Sequence, residues 1–290
     1  MARAVVIGEV LFDLFPDGDR LGGAPSNFAV HAAALGADVH LISAVGEDRY
    51  GKNAISSLTA VDVDTSGVRV SDSPTGTVKV TLSAGHPSYE IVEGVAWDEI
   101  DLIETSRNHL KKAQLLCWGT LAQRSCRSEE AHRQLFDLVP NSCLNVCDLN
   151  FRQHYHDADV VRQSLTHSDL LKLSDEDLPI LRSYISGPKD DRDYLRDIRH
   201  VYGIRVAVLT LGERGCRVSA RNVDLSVPGI SVQVVNTVGA GDAFAAAFAL
   251  NLLQDADLRL SAETANRVGA YVATQDSGTP SLPSEFRIVD

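Results

Sequence analysis

Apolar and polar positions along this chain fall into short blocks of two kinds. Residues 4–10, 39–45, 113–118, 142–147, 169–173 and 205–211 are largely apolar runs of strand length. Runs of this sort suit strands buried on both faces. Residues 29–35, 129–138 and 243–253 instead carry good helix formers, and the first of these stops at Gly36. A final helix holds Asn266 and ends near Thr274. Strand-like and helix-like blocks alternate, as in an α/β fold.

Two stretches break the rhythm. Residues 77–83 and 88–92 alternate polar and apolar about a turn at 84–87, which predicts a half-exposed hairpin and a candidate smaller domain or lid. Trp97 follows it and reads either as pocket-facing or as ordinary packing. Residues 217–220 and 223–227 make a second hairpin-like pair.

The length of 290 residues, 44% hydrophobic, gives ample core and allows one large domain or two smaller ones. A formal charge of −12 and a pI near 5.2 disfavour nucleic acid or an anionic membrane as partner. They do not exclude a small phosphorylated ligand, which needs only a local positive site. Five cysteines (Cys117, Cys126, Cys143, Cys147 and Cys216) have irregular spacing and no CxxC pair. That indicates neither a zinc site nor a disulfide framework, and fits thiols of a cytoplasmic protein. Glu9 and Asp13 interrupt the N-terminal apolar run, so a signal peptide is not expected. The longest apolar run, 243–250, is far shorter than the roughly 20 residues that span a bilayer.

The most informative stretch is Val234-Val235-Asn236-Thr237-Val238-Gly239-Ala240-Gly241-Asp242-Ala243-Phe244. A turn on Gly239 and Gly241 opens directly into a helix. The first amides of a helix have no partner within it and lie at the positive end of its dipole, so the turn can hold a phosphate. Asp242 sits at the rim, an acceptor beside the anion, and this suggests phosphoryl transfer to a hydroxyl. The plainer reading is a glycine turn with an acid favouring the helix dipole.

Other loops carry weaker signals. Pro25 suits the first turn of a helix, and Gly22, Gly23 and Asn27 could line a small polar pocket or merely form a capped turn. The stretch Gly46 to Asn53 nearly matches a phosphate-binding P-loop, but Asn53 lacks the hydroxyl that binds magnesium, and a helix-starting turn explains its glycines equally. Asp148, Asn150 and Arg152 follow a strand at the edge where ligands bind in open α/β sheets, and would share a face if that strand continued. His154-Tyr155-His156 reads as a solvated loop rather than a metal site. Ser174-Asp175-Glu176-Asp177 could help place magnesium, or cap the next helix. Gly239-Ala240-Gly241 does not complete a dinucleotide-binding GxGxxG.

Four anchors in this order and spacing carry a resemblance over nearly the whole length. They are Gly22-Gly23-Ala24-Pro25-Ser26-Asn27, Asp148-Leu149-Asn150-Phe151-Arg152, Thr210-Leu211-Gly212-Glu213-Arg214-Gly215 and Thr237-Val238-Gly239-Ala240-Gly241-Asp242. The chain resembles the ribokinase-like (PfkB) sugar kinases, and among them bacterial fructokinases. The resemblance implies a single ribokinase-like domain over 1–290. It would be an α/β three-layer αβα sandwich with a mostly parallel central sheet, plus a small β-sheet lid from about 10–20 and 72–98. It implies ATP and Mg2+ as cofactors. Asp13, Gly22, Gly23 and Asn27 would bind the sugar, and Arg152 the sugar or the moving phosphate. Ser174, Thr210, Gly212, Gly215 and Asn266 would border the nucleotide. Gly239, Ala240 and Gly241 would form the anion hole, and Asp242 would be the base.

Two departures matter. The family usually has Asp where Asn236 stands, in a loop that binds potassium in many members, which puts K+ activation in doubt. Its Asn-x-x-Glu magnesium motif appears as Ser174-x-x-Asp177, so Asp177 would act on Mg2+ through water. The reading is of ATP-dependent phosphorylation of a sugar's primary hydroxyl, with fructose foremost. Alternatives are ribose, 2-keto-3-deoxygluconate, tagatose phosphate or a nucleoside, or a non-catalytic sugar-binding regulator. A homodimer through the lid is also expected.

Overall fold

The computed structural model describes residues 1–15, 18–83 and 86–289. In chain order its strands and helices are β1 (Arg3–Ile7), β2 (Leu11–Phe15), β3 (Gly18–Gly22), α1 (Ala24–Ala34), β4 (Asp38–Gly46), α2 (Arg49–Thr59), β5 (Val63–Ser71), β6 (Gly76–Ser83), β7 (His86–Ile91), α3 (Glu104–Leu110), β8 (Leu115–Gly119) and α4 (Cys126–Leu135). There follow β9 (Leu144–Asp148), α5 (Ala158–His167), β10 (Leu170–Ser174), α6 (Asp177–Tyr184), α7 (Asp191–Tyr202), β11 (Val206–Thr210), β12 (Cys216–Ala220), β13 (Val223–Val227), α8 (Ala240–Leu253) and α9 (Leu258–Ala273).

The large sheet has the order β13-β12-β11-β10-β9-β8-β1-β4-β5. Strands β5 to β11 within it pair in parallel, and only β12 and β13 run antiparallel at one edge. Its central strands are largely apolar because both faces are covered. Val5 and Val6, Leu170 and Leu171, or Val206 and Ala207 point to opposite sides and join two separate cores. One core is closed by α1, α2, α8 and α9, the other by α3 to α7. This is the expected three-layer αβα sandwich. α8 is apolar all round because it packs between α1 and α9 with the sheet beneath. Among the described residues no helix is long and apolar enough to cross a membrane.

A second sheet, β3-β2-β6-β7, is mixed: β2 pairs antiparallel with β3 but parallel with β6, and β6 pairs antiparallel with β7. It unites the two segments expected to make the lid. The turn expected at 84–87 includes residues 84 and 85, which lie outside the described residues.

One expectation is corrected and several open readings are decided. The first strand ends at Ile7, not residue 10, because Gly8 takes φ +152° and turns the chain. Trp97 is buried in a core beneath the Arg124 guanidinium, 3.8 Å from the ring centroid, so it is packing and not pocket wall. The P-loop-like stretch is a helix start: the Asp48 side chain accepts the Gly51 amide and caps α2. Both His156 nitrogens are engaged, by Tyr184 Oη and the Gln153 carbonyl, which leaves none for a metal. Four of the five cysteines are buried and Cys126 is exposed.

Candidate active site

The C-terminal ends of the parallel strands face one edge of the sheet, and the chemistry collects there. The end of β1 leads through Gly8 to Glu9. The end of β3 leads through Gly23 into α1. Gly23 has φ +102°, and a Cβ there would stand 2.4 Å from the Glu9 carbonyl oxygen, so only glycine fits the approach. A Cβ on Gly22 would stand 2.5 Å from Asp13 Oδ2, which places that carboxylate against the glycine pair.

α1 then presents Asn27 toward the start of α8. Asn27 Nδ2 donates to Asp242 Oδ2 at 2.8 Å, joining residues 215 positions apart. Asp242 is partly open to solvent at the cleft. Desolvation raises its pKa, and the Asn27 hydrogen bond and the charges of Lys172 and Arg152 work against that rise. Desolvation also lifts Asp13 to about 6 and Glu9 to about 7, and Arg152 opposes both. The Arg152 charge is thus felt by Glu9, Asp13 and Asp242 together. Expected residues from four distant stretches share one site.

Arg152 arrives there by a different route from the one expected. β9 ends at Asp148, and Asn150 takes φ +40°, so the alternation of 148, 150 and 152 fails. Glu9 itself is 2% exposed, and its Oε2 has no hydrogen-bond partner, although an acceptor buried in this way normally has one.

Gly239 caps α8 in the left-handed region, φ +78°, and a Cβ there would overlap the Gly278 carbonyl oxygen. Among the described residues the amides of Gly239, Gly241 and Asp242 have no acceptor in the chain. Ala240 differs: its amide reaches the Thr237 carbonyl at 3.3 Å, because the turn closes on itself there. The amides free to form the expected anion hole are therefore those on either side of Ala240. Val234 and Val235, which lead into it, are 56% and 62% exposed rather than part of a strand.

Lys172 was not anticipated. It lies in β10 opposite Asp148 of β9, is buried, and binds both carboxylate oxygens at 3.0 and 2.9 Å. A Cβ on Gly241 would lie 3.4 Å from its Nζ, so the ammonium stands against the turn that opens α8. Burial disfavours the charge, but Asp148, Asp177 and Asp242 raise the pKa overall, and Lys172 stays protonated. The available signal was a lone charge inside the apolar run Leu170–Leu173.

The residues expected around a nucleotide gather at the ends of β10 and β11. Ser174 lies opposite Thr210, and Gly212 begins a short turn with φ +57°. Gly215 is enclosed, since a Cβ would meet the Val227 carbonyl at 2.1 Å. Asn266 on α9 is buried and donates to the Pro228 carbonyl at 3.0 Å. Both shape the wall more than they line it.

Asp177 accepts from the Phe151 amide, the Ser174 amide and Ser174 Oγ, while its own amide donates to Ser174 Oγ. This reciprocal pair fixes the turn that leads into α6. A carboxylate has about four acceptor directions, so Asp177 keeps room for a water and little room for a direct metal bond. The remaining direction suits a water carried by Mg2+.

Comparison with known proteins finds relatives over nearly the whole chain. A family model described as pfkB family carbohydrate kinase matches residues 1–285. A sugar kinase of Pyrococcus horikoshii is 31% identical over 98% of this chain and 93% of its own length. A crystal structure of that protein in complex with ATP aligns with TM-score 0.80 at 26% identity, over 97% of this chain and 95% of the other. Fructokinase-1 of Oryza sativa subsp. japonica is 28% identical over 98% of this chain and 96% of its own. The fold is shared with a fructokinase of Xylella fastidiosa with bound ATP, at TM-score 0.84 and 21% identity over 98% and 96% of the two chains.

Proposed function

The chain belongs to the pfkB family of carbohydrate kinases, and from that premise we propose that it moves the γ-phosphate of ATP to a primary hydroxyl of a small neutral sugar, fructose foremost. The observation that carries this reading is the Asn27–Asp242 hydrogen bond. It sets the Asn27 amide beside a partly desolvated carboxylate, where both could meet the hydroxyl of a bound sugar.

In this reading Asp13, Gly22, Gly23 and Asn27 hold the sugar. Asp242 accepts the proton of the attacking hydroxyl. The amides of Gly239 and Gly241, with Lys172 and Arg152 nearby, stabilise charge on the transferring phosphoryl group. Ser174, Thr210, Gly212 and the exposed Val234 and Val235 border the nucleotide, and Gly215 and Asn266 support that wall. Mg2+, held through water on Asp177, would neutralise charge on the nucleotide phosphates. The small sheet acts as a lid, which excludes water that would otherwise take the phosphoryl group. Its outer strands β3 and β7 offer edges through which two copies could pair. Lys79, the cation that hairpin 77–92 offers an acidic substrate, already lies 3.8 Å from Glu90, which favours a neutral sugar.

The test is a coupled ADP-release assay with fructose, ribose, 2-keto-3-deoxygluconate, tagatose phosphate and a nucleoside. Fructose should give the highest kcat/KM. ADP release no faster with any sugar than without one would sink the reading.

A further inference from the structure

The opposite edge of the large sheet, where the parallel strands begin, holds a second cluster. His40 lies near the start of β4, Asp64 near the start of β5, and His109 near the end of α3. His40 Nδ1 is 2.7 Å from Asp64 Oδ2, and His109 Nε2 is 3.7 Å from the same oxygen. The two imidazoles stack with centroids 4.0 Å apart and planes within 8°. Their nitrogens therefore approach one carboxylate oxygen side by side.

Local structure builds this arrangement. The β4–β5 register slips between His40 and Ile42. Within the slip the Ser66 amide donates to Asp64 Oδ1 at 2.9 Å, which fixes the carboxylate and turns Oδ2 to the rings. Behind His40, the buried Ser106 Oγ lies 3.2 Å from Nε2. Ser106 can accept from Nε2–H when Nδ1 is a ligand, the outer partner that metal-bound imidazoles use. Burial lowers the pKa of His40 despite Asp64, so the ring stays in its neutral, ligating form. Burial raises Asp64, but its hydrogen bonds to His40 and Ser66 prevail and keep it an anion.

A hydrogen bond accounts for His40 and Asp64 but not for His109, which at 3.7 Å is too distant to make one. We propose that His40, Asp64 and His109 form a binding site for one divalent transition-metal ion, Zn2+ matching the donor set best. Two imidazole nitrogens, one carboxylate oxygen and water make a familiar zinc shell. The three ligand atoms lie within 4.8 Å of one another. The separations of 2.7 and 3.7 Å bracket the roughly 3.3 Å between tetrahedral ligands each about 2 Å from zinc. His109 and Asp64 are 42% and 35% exposed, which gives the ion an entry path. The ion would tie α3 to β5, the outermost strand, and take no part in phosphoryl transfer.

Calorimetric titration of EDTA-treated, desalted protein with zinc chloride, in excess Mg2+, tests this. One Zn2+ should bind per chain and raise Tm, since binding to the folded state alone stabilises it. His109→Ala and Asp64→Asn should each weaken binding at least about tenfold, as loss of even an outer partner does. Both should keep zinc-free ADP release unchanged. No binding by the parent, or unchanged binding by His109→Ala, would overturn the site. His109 is half-exposed at a helix end, so that variant decides the matter even if Asp64→Asn fails to fold.

Discussion

Lys172 and Asp148 face each other across β10 and β9, with the ammonium 2.9 and 3.0 Å from the two carboxylate oxygens and both residues buried. Breaking a buried pair by removing one partner typically costs about 3–5 kcal/mol, because the other charge is left uncompensated. Lys172→Met should therefore lower the urea-unfolding free energy by about that amount. The double variant Lys172→Met with Asp148→Asn should regain most of it. Turnover should not return with stability, because the ammonium beside the proposed anion hole is still missing. A double variant that recovered both would make Lys172 a structural residue only.

The same charge distribution sets the pH behaviour of Asp242. As the proposed base it must be ionised, and desolvation raises its pKa against the Asn27 hydrogen bond. The acid limb of kcat/KM should lie above the ordinary range of an aspartate. Asn27→Ala removes the donor that favours the anion, so the limb should move to still higher pH. Sugar affinity will fall as well, so the position of the limb is the readout and not its height. Asp242→Asn should cut kcat by about 10²–10⁴ with little change in sugar affinity. An Asn27→Ala profile that overlays the parent after scaling would detach Asn27 from the base.

What could be read ahead of the structure was local. The Gly239–Asp242 turn, the Gly22–Asn27 helix start and the Ser174–Asp177 turn are each encoded within eight residues, because glycine, a hydroxyl and an acid act on their own neighbours. The two-sided strands were visible because the sheet buries both Val5 and Val6. Contacts that depend on strand order were not visible. Asn27 meets Asp242 only because α1 packs on α8, and Lys172 meets Asp148 only because β10 follows β9. β5 escaped notice because Asp64, Thr65, Ser66 and Gly67 interrupt its apolar pattern where the register slips. Arg152 was expected on a continued strand, and left-handed Asn150 breaks that strand.

Glu9 ties stability to pH. Desolvation first of all raises its pKa from 4.5 to about 7 in the folded state. The folded chain thus holds a proton that the unfolded chain releases between pH 4.5 and 7. Its contribution is intact below 4.5 and is lost as pH rises through 7, a change of about 3 kcal/mol. Glu9→Gln cannot ionise, so the variant should gain on the parent over that window and hold a constant advantage above it. Urea midpoints measured from pH 4.5 to 8 would show this. Parallel curves for the two proteins would mean that Glu9 does not titrate there.

Asn236 bears on the monovalent cation. Its Oδ1 accepts the Val238 amide at 3.0 Å, and its Nδ2 donates to the Asp276 carbonyl at 3.3 Å. The side-chain N–H thus already gives this carbonyl a positive partner. Loop 274–280 is held over the start of α8 by this contact and by His31, whose Nε2 lies 3.0 Å from the Gly278 carbonyl. The parent should then turn over equally well in K+, Na+ and choline salts. Asn236→Asp replaces the donor with an acceptor and leaves a carboxylate facing a carbonyl. That pair is repulsive until a cation enters between them. The variant should be slower in choline and recover as K+ is added. A parent stimulated several-fold by K+, or a variant indifferent to it, would show that the amide does not stand in for the ion.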